Sequence, residues 1–156
     1  MQVKFWILTE LPEVLIFRRP GQPVLLREDM LENNCYCCSG KDFEECCLPF
    51  LKGESTPLIP EELMRSRYTA YVLVNTDYLL ETTHPSRREL YSRRELERWA
   101  KNSHWQKLEI IEAKEHIVTF KAYYRDKKLR PFVHHERSVF IQQEEKWYYV
   151  DGTIIE

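Results

Sequence analysis

Apolar positions recur at helical spacing from Met64 to Leu79 and alternate with polar ones after Ser103, with a turn-rich, charged stretch between. In the first region Met64, Tyr68, Tyr71, Val72, Asn75 and Leu79 share one face, which predicts an amphipathic helix. Pro60 at its first position and Glu61 and Glu62 in its first turn suit a helix start, since proline needs no N–H partner there and acids favour the positive end. The composition of Gly53 to Pro60 marks the preceding loop. The helix is expected to break near Asn75 to Asp77 and to resume through Leu80.

A short duplication follows: Ser86 to Leu90 and Ser92 to Leu96 both read SRREL. Each copy has the S-x-x-E spacing of a capping box, and Leu96, Trp99 and Ala100 form the buried stripe behind the second. Four alternating segments come next, Trp105 to Ala113, Ile117 to Tyr124, Phe132 to Gln142 and Lys146 to Val150. They read as strands joined by links short enough for antiparallel hairpins. Alternation sets Glu136, Ser138 and Phe140 on one face and His135, Arg137 and Val139 on the other. Trp147, Tyr149 and Asp151 share a face by the same rule. Helices first and an antiparallel meander second make an α+β layer, with the helices packed into the concave side of a curved sheet.

At 156 residues, 43% hydrophobic and 13% aromatic, the chain has enough apolar material for one packed domain and a small appendage. A formal net charge of −2 provides no overall attraction to nucleic acid or acidic lipid. The arginines Arg87, Arg88, Arg93, Arg94 and Arg98 could still grip phosphates locally, although the interleaved Glu89, Glu95 and Glu97 fit a solvated helix face. No segment reaches the ~20 consecutive apolar residues of a membrane span. The stretch MQVKFWILTELPEVLIF is broken by Glu10, Pro12 and Glu13 and lacks a small-residue cleavage site, so a cytoplasmic chain with reduced thiols is expected.

All five cysteines fall between Cys35 and Cys47, in the segment CYCCSGKDFEECC. An odd number, including two adjacent pairs, argues against a disulfide framework and for a metal. Structural zinc takes four thiolate or imidazole ligands in a tetrahedron. Ser39 and Gly40 supply the turn between the first and last ligands, and Lys41 to Cys46 reads as a short helical turn with Phe43 covering one side. Five thiols compete for four positions: Cys35 and Cys37, or Cys35 and Cys38, with Cys46 and Cys47 in either case.

The segment resembles the SEC-C motif, a short zinc-binding element also found in the SecA translocase. Cys35, Cys37, Ser39, Gly40, Lys41, Phe43, Cys46 and Cys47 fall on its pattern, while Tyr36 and Cys38 stand where proline and glycine are usual. The resemblance implies one Zn2+ ion on Cys35, Cys37, Cys46 and Cys47, with Cys38 a spare thiol. Further along, Leu63 to Tyr71, Thr83 to Pro85, His135 to Ser138 and Trp147 to Gly152 resemble the bacterial YchJ-like family. Members of that family join a SEC-C motif to a cone-shaped domain of the nuclear transport factor two and cystatin-like type. The resemblance runs from about Asn34 to Thr153.

Three parts are therefore expected: a leader at 1–29, a SEC-C element at 30–52 and the α+β cone at 53–156. The leader either forms a hairpin from QVKFWILTE and EVLIFRRPGQPVLLRE, or precedes a native start at Met30. The interior of the cone is the expected pocket, with Arg65, Arg67, Tyr68, Tyr71, His84, Trp105, Glu136, Ser138, Trp147 and Asp151 as candidate lining residues and Arg67 paired to Glu136 or Asp151. His134 and His135 point to opposite faces and cannot easily share a second metal.

The resemblance implies a fold and a metal rather than an activity. The leading reading is a zinc-binding adaptor whose knuckle contacts a protein partner, with the cone as scaffold or pocket. A second is a small-molecule-binding protein or enzyme using the cone, with His84 or Asp151 as general base, although no nucleophile–base pair accompanies them. A third is a ribosome or nucleic acid contact through the arginine-rich helix.

Overall fold

The computed structural model describes residues 15–19, 22–25 and 33–156. The chain divides into two compact units, Met1–Asn33 and Asn34–Glu156. In the first, β1 (Leu15–Arg19) pairs antiparallel with β2 (Gln22–Leu25), and the register shifts between Phe17 and Arg19. Both strands lie within the second arm expected for the leader hairpin. The QVKFWILTE arm and Met30 lie outside the described residues.

The second unit begins with the cysteine segment and a single 3-10 turn at Phe43–Glu45, followed by the short helix α1 (Leu48–Leu51). Next come α2 (Pro60–Val72), α3 (Thr76–Glu81), a 3-10 helix at Pro85–Leu90 and α4 (Arg93–Asn102). Strands β3 (His104–Lys114), β4 (Ile117–Arg125), β5 (Pro131–Gln143) and β6 (Lys146–Ile154) form an antiparallel meander in sequence order. This is the expected α+β arrangement, a curved sheet packed on helices.

The break between α2 and α3 has a local cause. Val74 adopts a left-handed φ of 58°, its N–H reaches Tyr71 O at 3.2 Å, and the N–H of Asn75 reaches Ala70 O at 2.8 Å. That pair of bonds is a Schellman stop. Asn75 then caps the next helix, its Oδ1 accepting from the N–H of Tyr78 at 3.1 Å. The stop therefore falls slightly earlier than the apolar pattern suggests.

The two SRREL copies diverge. Ser92 caps α4, accepting from the N–H of Glu95 at 3.4 Å. Ser86 caps nothing, because Pro85 starts the turn one residue earlier and the His84 ring takes the Ser86 N–H at 3.3 Å.

The core lies between α2, α3, α4 and the concave face. Leu63, Leu79, Val118 and Phe140 are fully buried there, with Leu96, Leu108, Phe120 and Ala122 around them. Strand β6 carries one irregularity that changes what faces the core. Opposite Val139 and Phe140 stand Asp151 and Tyr149, so Val150 is the extra residue of a bulge. Beyond it the alternation changes phase, because one inserted residue turns every later side chain over. Asp151 is exposed, and Gly152 sits opposite Ser138.

Candidate functional site

The cysteine knuckle is built from short-range bonds. The Cys35 N–H donates to Lys41 O at 2.8 Å and the Cys38 N–H to Cys35 O at 3.1 Å, which folds the loop back on itself. Gly40 has φ 79° and Cys38 φ 61°, both left-handed. Cys38 thus occupies a backbone position that favours glycine, the residue usual there in the SEC-C pattern.

Four sulfurs, those of Cys35, Cys37, Cys46 and Cys47, lie within 4.8 Å of one another. Cys37 Sγ is 3.6 Å from Cys46 Sγ, which is 4.0 Å from Cys47 Sγ. A zinc tetrathiolate with ~2.3 Å bonds has sulfur–sulfur edges of about 3.8 Å, so these residues could hold such an ion with little movement. Cys38 lies outside the group. It is exposed, and its Sγ accepts from the Leu108 N–H on β3 at 3.4 Å.

The clustered thiols contend for charge. Hydrogen bonds from Cys35 and Cys47 pull the Cys37 thiol far below its ordinary value. The same contacts with Cys37 push Cys35 up to about 11, and those with Cys35 and Cys37 push Cys47 further up. A bound metal cation reverses that logic, because its charge favours every thiolate at once.

The knuckle is fastened to the cone by Arg65, whose Nη1 donates to Cys37 O at 2.8 Å while its Nε donates to Glu61 at 2.9 Å. On the outer side Tyr36, 46% exposed, meets Phe43 edge-to-face with ring centroids 5.3 Å apart.

Inside the cone is a cavity of about 130 Å³. Arg67, Tyr68, Tyr71, Trp105, Glu136 and Ser138 line it, as the sequence suggested for these six. The other four candidates do not. Arg65 is drawn to the knuckle, as described above. His84 lies at the rim of the sheet, its Nε2 2.7 Å from Gln143 Oε1. Trp147 turns towards the loop before α2 and donates from Nε1 to Leu58 O at 2.9 Å. Asp151 is turned out by the bulge. Tyr91, Trp99, Phe120, His134 and Tyr149 also line it, with Met64 and Ala122. Tyr149 shares a strand face with Trp147, and His134 lies two residues from Glu136 on the same face. Trp99 belongs to the stripe expected to be buried behind the second SRREL copy, whereas Tyr91 has no signal beyond its aromatic character; only folding brings the two over the cone.

The expected ion pair between Arg67 and Glu136 or Asp151 is not formed. Arg67 Nη1 donates to Leu79 O at 2.9 Å, Thr82 Oγ1 at 2.7 Å and Thr83 Oγ1 at 3.3 Å, and its guanidinium stands 4.5 Å over the Tyr149 ring. The C-terminal end of α3 brings those oxygens to it before any carboxylate. Glu136 instead accepts from Ser138 Oγ at 2.6 Å, His134 Nε2 at 2.6 Å and Tyr149 Oη at 3.1 Å. Burial alone would raise its carboxyl, but the three donors hold it below the usual glutamate value. Burial and the nearby Glu136 charge push the Tyr149 phenol far up, so it serves as a neutral donor.

A curved antiparallel sheet closed over helices, with a four-cysteine knuckle ahead of it, defines an NTF2-like α+β protein carrying a SEC-C-type element. The chain belongs to the YchJ-like family: the family description "YchJ, middle NTF2-like domain" matches residues 59–152. It is 40% identical over 129 residues to a UPF0225 protein of Haemophilus influenzae, covering 80% of both chains. A UPF0225 protein of Geobacter sulfurreducens is also 40% identical over 129 residues, with 78% of this chain and 80% of that one covered. The solution structure of a SEC-C motif containing protein from Rhodopseudomonas palustris superposes with a TM-score of 0.75 at 37% identity, covering 79% of this chain and 99% of that one. The crystal structure of a SEC-C motif containing protein from Psychrobacter arcticus gives 0.64 at 28% identity, over 80% and 82%.

No helix among the described residues is long and apolar enough to cross a membrane. Of the arginines considered for phosphate binding, Arg93 is paired with Asp77 at 2.6 Å, and Arg88 donates to Thr83 O and Glu81 O.

Proposed function

We propose that the protein is a zinc-binding adaptor. One Zn2+ ion, held by Cys35, Cys37, Cys46 and Cys47, closes the knuckle; the knuckle contacts a protein partner, and the cone serves as scaffold or pocket. The observation that supports this reading is the convergence of four sulfurs at tetrahedral spacing, three of them on buried residues. Four thiolates fill a tetrahedron, which suits a structural ion and leaves no position for substrate. The ion's contribution is positive charge and cross-linking. Tyr36 and Phe43 offer the knuckle's outward aromatic surface, of the kind enriched at interfaces.

Elemental analysis of untagged protein tests the metal. One zinc per chain, kept in Cys38→Ser and lost in Cys37→Ser, supports the ligand set; loss with Cys38 instead overturns it. A Tyr36→Ser variant that keeps zinc tests the adaptor role. If a photo-crosslinker beside Tyr36 captures the same partner with equal yield in that variant, the knuckle surface is not the contact. The arginine-rich helix as a nucleic acid grip is the weaker reading, because Arg88 and Arg93 are held by internal partners. A steep salt dependence of RNA binding would revive it.

A further inference from the structure

We infer that the cone cavity is a binding site for a small organic monocarboxylate, gripped by Arg67 against aromatic walls. This deepens the pocket part of the proposed function and does not depend on the metal or the partner.

Arg67 is only 5% exposed and lines the cavity, yet no carboxylate among the described residues neutralises it. Every hydrogen bond it makes there comes from Nη1, to Leu79 O, Thr82 Oγ1 and Thr83 Oγ1. Nε and Nη2 have no acceptor among those residues. Neither is sealed in protein, because the sealed and unpartnered side-chain polar atom among the described residues is His135 Nε2. The pinned Nη1 therefore leaves Nε and Nη2 of a buried, oriented guanidinium without a protein acceptor among the described residues, on a residue that lines the cavity. Together they form the fork that carboxylates engage with two parallel N–H···O bonds. A buried charge is ordinarily paired, and no counter-ion is supplied among the described residues.

The rest of the cavity narrows the ligand class. Tyr71, Trp99 and Trp105 form one wall, with ring centroids 5.0 to 5.5 Å apart, and Phe120 adds to the lining. Such walls suit an apolar or aromatic body. The volume of about 130 Å³ is a little below the roughly 150 Å³ of an engineered cavity that admits benzene, so the ligand is a small acid whose body is no larger than one ring, for which benzoate is the upper probe. Glu136 lines the same cavity with its carboxyl held ionised, which disfavours a second negative charge on the ligand. A phosphate is thus a poorer match than a monocarboxylate. An organic cation could use Glu136 and the rings, but it would share a small cavity with Arg67 and leave the guanidinium edge unpaired.

The test uses the full-length, metal-loaded chain with 15N-labelled arginine. Sodium benzoate and tetramethylammonium chloride are titrated separately while the Arg67 Nε–H resonance is followed. We expect a saturable downfield shift with benzoate and none with tetramethylammonium. Arg67→Lys, which keeps the charge and loses the fork, should weaken benzoate at least about tenfold. Absence of a saturable benzoate effect at millimolar concentration overturns the inference, as does saturable binding of tetramethylammonium in its place. If Arg67→Lys fails to fold, the wild-type titration still decides. Zinc is measured on the same samples, so a zinc-loaded chain that ignores benzoate defeats this inference alone, and a benzoate-binding chain without zinc defeats only the metal reading.

Discussion

The knuckle and the cone exclude water by different means. In the knuckle the buried residues are Cys35, Cys37 and Cys47, with Phe43 and Cys46 packed against them, and no aliphatic side chain belongs to that cluster. In the cone, Leu63, Leu79, Val118 and Phe140 are fully buried within a cluster that draws on three helices and the sheet. Thirteen residues cannot bury enough apolar surface to offset the entropy of ordering them. On the proposed reading, an ion joining the four sulfurs does so instead. The cone's core grows with the number of layers that meet there. One region should therefore follow metal, and the other should follow side-chain volume.

Breaking the knuckle separates the two most sharply. Structural zinc contributes on the order of 10 kcal/mol to small zinc-folded peptides, so on the proposed reading a chelator or Cys37→Ser should release the metal and unfold residues 34–47. Hydrogen exchange should show amides of the knuckle losing protection while those of β4 and β5 keep theirs. Equal loss in both regions would show that the cone also depends on the metal. Metal binding at neutral pH should also release protons, since Cys35 and Cys47 have raised thiol values and must lose theirs.

The converse cut is Phe140→Ala. Removing a fully buried ring should cost about 3–5 kcal/mol in urea denaturation while zinc content stays at its wild-type level in the folded protein. Next in size is Gly152→Ala. A Cβ there would lie 2.0 Å from Glu136 Oε1 and 2.8 Å from Tyr149 Oη. Because three hydrogen bonds hold that carboxylate in place, we expect a loss of ~1–3 kcal/mol by overpacking.

Glu136→Gln tests the charge in the cone by pH. The folded carboxyl is held below the ordinary value, so its stabilisation is present above the unfolded glutamate value and disappears as pH falls through the folded one. The wild type should exceed the variant by about 1 kcal/mol at neutral pH, and the gap should narrow as pH falls below the ordinary glutamate range. A gap that does not change with pH would mean that the carboxylate charge contributes nothing to stability.

The smallest effect belongs to the knuckle. Cys38→Gly relieves a left-handed φ of 61° and removes one weak N–H···S contact, so thermal unfolding should shift by less than about 1 kcal/mol, towards stability. Metal content should not change.

What was legible in the sequence was local. The cysteine spacing, the turn at Gly40, the α2 face from Met64 to Val72 and the alternation of four strands each follow from bonds or periods spanning a few residues. From these the α+β class and a candidate four-sulfur cluster could be read before any coordinates. What only the tertiary structure decided was every choice among distant partners. Arg65 and Arg67 stand two residues apart on one helix, yet one meets the knuckle and the other the cavity. A single inserted residue at Val150 turned Asp151 outward and brought Gly152 against Glu136. Arg67 found the oxygens at the C-terminal end of α3 and left Glu136 to other donors. Periodicity fixes which face a side chain occupies until a bulge intervenes, but which charges meet across the core depends on how the layers are placed, and no local pattern encodes that.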